Sequence, residues 1–278
     1  MTAVRLCRLA LALCVAAAAA TAACAPARLT LPTDAGSPLA DIAAVHAQAT
    51  RACRGVRTLT AELSLVGRAG RTRLRGRVVA GFERPASMRL EGVAPFGPPA
   101  FILAARGGEA TLLLPRDERV LSGASPDAVL GALTGVALAP DDLLAILTGC
   151  VVPEPVQRGG RVHANGWASL DLEGDATLYL VRVSGAWQPR AAARPGWDVQ
   201  YANWQGDFPR AVTLRSLGSA AGGSPGLGAI DVDLTATVSQ IEANLPIDAA
   251  AFGVVVPPGA ARLTLDELRD AGPLRGEQ

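Results

Sequence analysis

Leu59-Thr60-Ala61-Glu62-Leu63-Ser64-Leu65 alternates apolar and polar residues without a break. After a turn at 67–70, Arg71-Thr72-Arg73-Leu74-Arg75-Gly76-Arg77 alternates again. A period of two sends successive side chains to opposite faces, the pattern of a half-buried strand. Two such runs across a glycine-bounded turn predict an antiparallel hairpin with one apolar face. Its second strand carries Arg71, Arg73, Arg75 and Arg77 on a single face. That row is either a solvated outer surface or a contact for anionic lipid headgroups, and alternation alone does not choose.

Outward from this hairpin the same period recurs. Strands are expected at Ser87–Val93, Ala100–Ala105, Ala110–Leu114 and Arg119–Leu121, then at Trp167–Leu172, Ala176–Val183, Trp197–Trp204, Ala211–Leu217 and Ile230–Ala243. Gly218–Gly228 reads as a glycine-rich loop between the last two. Between the two groups of strands the pattern turns helical. Ser125-Pro126-Asp127 opens a helix to Thr134, and Pro140-Asp141-Asp142 opens another to Leu147 with Gly149 as its stop. Upstream, Ser37-Pro38 opens a helix to Arg54 that sets Ile42, Val45, Ala49 and Cys53 on one face. Near the end, Thr264-Leu265-Asp266-Glu267 has the form of a capping box. The fold class expected is mainly β with α (α+β). A single curved antiparallel sheet of about ten or eleven strands, too large to stay flat, forms an open half β-barrel. Helices close its open side as a lid over an apolar interior.

The ends and the cysteines place the protein. Arg5 and Arg8 precede an apolar run from Leu9 to Ala20, and Thr21-Ala22-Ala23 leads to Cys24. This is the order of a secretory signal peptide. Small residues directly before the cysteine match a lipobox, in which the Cys24 thiol takes a diacylglycerol and becomes the mature N-terminus; the alternative is an ordinary A-x-A-type cleavage with a cysteine nearby by chance. The expected organisation is a signal peptide at 1–23, a lipidated tether at 24–37 and one domain at 38–278. All 26 basic residues are arginine; without Arg5 and Arg8, 24 arginines face 25 acids, a net of −1 that gives no support for nucleic-acid binding. Cys53 and Cys150 remain in the exported domain. They are either a disulfide, favoured by an oxidising compartment, or two buried thiols.

Residues that run reactions are scarce. His46 and His163 have no histidine neighbour at metal-ligand spacing, and no cysteine pair has zinc spacing. No GxSxG nucleophile motif, P-loop or dinucleotide fingerprint occurs. Asp141 and Asp142 open a helix, where carboxylates serve the dipole. Trp167, Trp187, Trp197 and Trp204 lie in or beside strands as core and edge residues. The expectation is no enzyme, no metal site and no cofactor beyond covalent lipid on Cys24.

One turn stands out. Ala94-Pro95-Phe96-Gly97-Pro98-Pro99 is stiffened by three prolines yet carries a phenylalanine. Such a ring is either tucked into the core or held out toward something apolar. The run Val93-Ala-Pro-Phe-Gly97, with Ile102 through Leu114, resembles the outer-membrane lipoprotein receptor family, LolB. So does the insert Asp127–Gly149, with Leu133-Thr-Gly135, Pro140 through Leu144 and Leu147-Thr-Gly149. Val199-Gln-Tyr-Ala-Asn-Trp204 with Phe208-Pro209-Arg210 resembles that family's strand–loop–strand. The resemblance spans residues 38–217. Beyond Gln240, Asn244-Leu-Pro and Val256-Pro-Pro-Gly259 look more like the related LolA carriers.

The resemblance implies a lipid-anchored, periplasm-facing acceptor at the outer membrane, monomeric, taking acylated lipoproteins from a LolA-like soluble carrier. It implies acyl chains held in the half-barrel and delivery assisted by the loop Pro95, Phe96 and Gly97, with Phe96 as the protruding residue. Ala25 after Cys24 is compatible with outer-membrane sorting. The alternative is an envelope sensor or scaffold module that uses the same fold without transport.

Overall fold

The computed structural model describes residues 29–216, 231–271 and 274. The expected signal peptide, Cys24 and the loop Gly218–Gly228 lie outside the described residues. The compact unit Pro32–Gln278 contains every described strand and helix, together with the core. It therefore has what an independently folding domain needs.

Two long strands, β2 (Thr58–Ala69) and β3 (Thr72–Glu83), form the hairpin read from the sequence, in continuous register from Thr58↔Glu83 to Ala69↔Thr72. Leu59, Ala61 and Leu63 of β2 and Leu74, Val78, Ala80 and Phe82 of β3 are buried on the inner face. The arginines stand on the outer one, as a period of two requires. A meander continues through β4 (Ser87–Val93), β5 (Phe101–Arg106), β6 (Glu109–Leu114) and β7 (Arg119–Ala124). The chain then forms α2 (Pro126–Thr134) and α3 (Pro140–Leu147), with α1 (Ile42–Gly55) preceding β2. After α3 it restarts at the far edge with β8 (Gln157–Val162). It returns through β9 (Ala168–Leu172), β10 (Ala176–Val183), β11 (Ala186–Arg194), β12 (Trp197–Ala202) and β13 (Ala211–Ser216). Then β14 (Val232–Ala243) pairs with β2 and joins the two meanders into one open sheet.

The described residues form fifteen strands where the periodicity predicts about ten or eleven. Two of the additions are two-residue edges, β1 (Ser37–Pro38) and β15 (Ala261–Arg262). The others are β8 and β11. β8 carries Gly159 and Gly160, and β11 carries Pro189 and three consecutive alanines, so neither shows an alternating pattern. Their pairing comes from neighbours: β11 is held between β10 and β12, and Pro189 sits where the β10–β11 register shifts. The sheet is antiparallel except for β15, which runs parallel to β7.

The first helix also starts later than its sequence suggests. Ser37 and Pro38 pair with Val162 and Arg161 of β8, and Leu39 N donates to Gly160 O at 3.0 Å. Proline tolerates a sheet edge because its missing donor faces outward there. The segment read as tether is thus part of the sheet at its end. Asp34 Oδ2 also accepts from Ala164 N at 3.2 Å, and Arg161 Nη1 donates to Ala35 O at 3.0 Å. The helix begins at Ile42 behind Asp41, which has φ 53° and makes no side-chain cap bond. Ser125, directly before α2, makes no side-chain cap bond either. By contrast, the capping box is formed at the start of α4 (Leu265–Ala271): Glu267 N donates to Thr264 Oγ1 at 3.2 Å, and Thr264 N donates to Glu267 Oε2 at 2.8 Å.

Candidate functional site: an apolar cavity under two helices

The inserted helices are apolar because they lie on the inner face of the sheet. Leu130 and Leu133 of α2 and Ile146 and Leu147 of α3 point toward Leu63, Val78, Leu90 and Phe101 of β2–β5. Val212, Leu214, Leu234 and Ala236 of β13 and β14 form the other wall, with Val136 and Leu138 from the connection between the helices. Together they enclose a cavity of about 90 Å³. Its one polar side chain is Thr134, whose hydroxyl already donates to Leu130 O at 2.8 Å. Among the described lining residues nothing is placed to bind a charge; the site suits hydrocarbon.

The cavity is nevertheless small. An engineered apolar cavity of roughly 150 Å³ binds benzene, and sites for larger ligands run to several hundred. At this size the cavity does not hold an acyl chain. The elements around it differ in how firmly they are held. Cys150, just past α3, is joined to Cys53 of α1 by a disulfide with Cα atoms 5.9 Å apart. Both cysteines are buried with Ala145. The hydroxyl of fully buried Tyr201 donates to Cys150 O at 2.7 Å, and burial pushes that phenol's pKa up. At the other end of α3, Asp142 pairs with Arg194 of β11 at 2.6 Å and Asp141 with Arg84 at 3.7 Å. Burial raises the Asp141 carboxyl above its ordinary value, partly offset by Arg84. The two aspartates at the helix start thus also clamp α3 to the body. Gly149, at φ 93°, leaves room for the Trp204 ring, which a Cβ there would meet at 2.7 Å.

Among the described residues α2 makes no disulfide or ion pair; it packs against the sheet and against α4. The C-terminal segment is the part of the site that sequence reading missed. Leu268 of α4 is fully buried, and Leu274 joins the cavity lining while its carbonyl accepts from Arg75 N at 3.0 Å. Leu265, Leu268 and the capping box announce a helix with one apolar side, but nothing local says that this side closes a cavity.

Phe96 is not in that cavity. Its side chain is 87% exposed on the turn between β4 and β5, with Gly97 at φ 77°. The turn is held from behind by Arg116, whose guanidinium donates to Phe96 O. Pro95 and Gly97 are exposed beside it. The histidines occupy buried places elsewhere, His46 against Pro155 O at 2.5 Å and His163 against Ser169 Oγ at 3.0 Å. Among the described residues no group of three or more His, Cys, Asp or Glu is positioned to hold a metal ion. No described helix is long and apolar enough to cross a membrane.

No protein-family model matches the chain, and no curated protein matches it in sequence. Solved structures similar to it include a LolA superfamily protein from Nitrosomonas europaea, with 8% identity over 74% of this chain and 96% of that one, at a TM-score of 0.47. A DUF1329 family protein from Desulfovibrio piger shows 10% identity over 78% and 98%, at 0.48. An outer-membrane lipoprotein-sorting protein domain from Vibrio parahaemolyticus shows 10% over 76% and 94%, at 0.43. These likenesses are distant, and the strand order and register above define the fold without them.

Proposed function

We propose that the protein is a lipid-anchored, non-enzymatic acceptor of acylated lipoproteins, facing the periplasm from the outer membrane. The observation that carries this reading is the apolar lining of the cavity between α2–α3 and the sheet, in which the one polar side chain, Thr134, is already hydrogen-bonded to Leu130 O. Acyl chains enter when α2 swings away with the 135–139 connection. α3 stays in place, held by the disulfide, Tyr201 and its two ion pairs. Gly135, at φ 81°, gives the connection a hinge that needs no L side chain. A LolA-like soluble carrier hands over the lipoprotein, lipid on Cys24 tethers the acceptor, and the ring of Phe96 meets the bilayer on delivery. This assignment follows the sequence resemblance to LolB.

The small cavity favours a second reading, in which the helices never open and the domain serves as an envelope sensor or scaffold. One experiment separates them. Purified protein is mixed with radiolabelled lipoprotein on a carrier and, separately, with a fluorescent fatty-acyl probe. The acceptor takes both; a domain that takes neither is the scaffold.

A further inference from the structure

The outer face of the β2–β3 hairpin carries more positive charge than the fold can use. Arg68, Arg73, Arg75 and Arg77 stand on that face and Arg71 at its tip. Arg77 pairs with Glu62 at 3.6 Å, and Arg215 of β13 pairs with Asp233 of β14, the strand beside β2, at 3.4 Å. Among the described residues Arg68, Arg71, Arg73 and Arg75 make no ion pair. Asp233 is opposite Arg68 in register, but its carboxylate goes to Arg215. Arg68 is also directly opposite Arg73. Like charges in that relation destabilise a strand pair, so the hairpin is less stable for carrying them.

Two further observations say what the face meets. Val66, opposite Arg75, is 55% exposed, and Val93, opposite Arg77, is 42% exposed. Val93 leads directly into the turn that holds Phe96 out. The remainder of the same outer face is treated differently: the short 3₁₀ turn Ala249–Phe252 lies over β4 and β5. There Arg89 donates to Ala251 O and Gly253 O at 2.8 Å each. One half of the face is strapped over, and among the described residues no segment lies across the arginine half. Guanidinium forks suit phosphate, and cations interleaved with exposed aliphatic groups suit a bilayer surface. An acidic protein would answer the charge but would gain little from isolated valines.

We propose that this arginine face docks the domain on a leaflet rich in anionic phospholipid. The proposal stands whether or not the cavity takes acyl chains. The test uses the unit Pro32–Gln278, which has no lipid anchor, sedimented with vesicles of phosphatidylcholine alone or with about one-third phosphatidylglycerol. The parent is expected to bind the anionic vesicles at least about tenfold more tightly, with the preference lost in high salt. The Arg68→Gln/Arg73→Gln/Arg75→Gln variant loses that preference while melting at or above the parent's temperature, since the opposed charges are gone. Arg51→Gln/Arg54→Gln/Arg57→Gln removes equal charge from the end of α1 and the residues just after it, and keeps the preference. The proposal is overturned if the parent shows no preference or if the ladder variant binds like the parent. It is also overturned if both variants lose binding equally, or if the ladder captures polyglutamate but no vesicle. Uptake of the acyl probe, read on the same samples, reports the cavity separately.

Discussion

Phe96 shows how much one side chain depends on its backbone. Three prolines and Gly97 hold the turn, Arg116 braces its carbonyl, and the ring stays 87% exposed. A stiff turn loses little further entropy by presenting the ring, so any membrane that receives it gains nearly the full benefit of burying a phenylalanine, ~1.5–3 kcal/mol. Phe96→Glu is therefore expected to leave the melting curve within about 0.5 kcal/mol of the parent. Acyl-probe binding stays intact, and delivery of bound lipoprotein to vesicles falls roughly tenfold or more. Loss of folding instead would show that the ring belongs to the core.

Among the elements, α4 has an attachment that can be titrated. Its first turn is held by the Thr264–Glu267 box and by an ion pair from Glu267 to Arg119 at 2.7 Å. The backbone hydrogen bond from Thr264, followed by the Arg119 and Thr264 side chains, holds the Glu267 carboxyl down to about 2, against an ordinary 4.5. A depressed carboxylate stabilises the folded form fully above its unfolded value, and that contribution is lost as pH falls through the folded one. Amide exchange over Leu265–Ala271 should thus be slower in the parent than in Glu267→Ala above pH 4.5. The difference should close as pH approaches 2. Equal exchange in the two proteins at neutral pH would remove Glu267 from the docking of this helix, and with it one support for Leu274 in the cavity wall.

At the scale of the whole molecule, the disulfide joins the helix before the first meander to the segment just past α3, across 97 positions. In the chain-entropy model a loop of about this length contributes up to ~4.7 kcal/mol. For a domain of this size that corresponds to a fall in melting temperature on the order of 10 °C. Cys53→Ser/Cys150→Ser should show that fall, and the acyl probe should enter faster as α3 loses its principal tie. A variant that melts with the parent would assign the fastening of α3 to Tyr201, Arg84 and Arg194 instead.

The local chemistry of the chain was enough for much of this. Alternation at 59–65 and 71–77 determined the hairpin and its two unlike faces, because a strand has no choice about where successive side chains point. Proline–acid starts determined α2 and α3, and Thr264-x-x-Glu267 determined the cap of α4. Other features were decided only by the tertiary structure. β8 and β11 have no alternation and become strands because neighbours supply their hydrogen bonds. Ser37-Pro38 leaves its helix for an open edge beside β8. The joining of β14 to β2 and the arrival of Leu274 in the cavity wall are long-range contacts, and no window of sequence contains both partners. The pairing of Cys53 with Cys150 is of the same kind. Periodicity showed which residues seek burial; the packing of the open sheet against two helices decided against what they are buried.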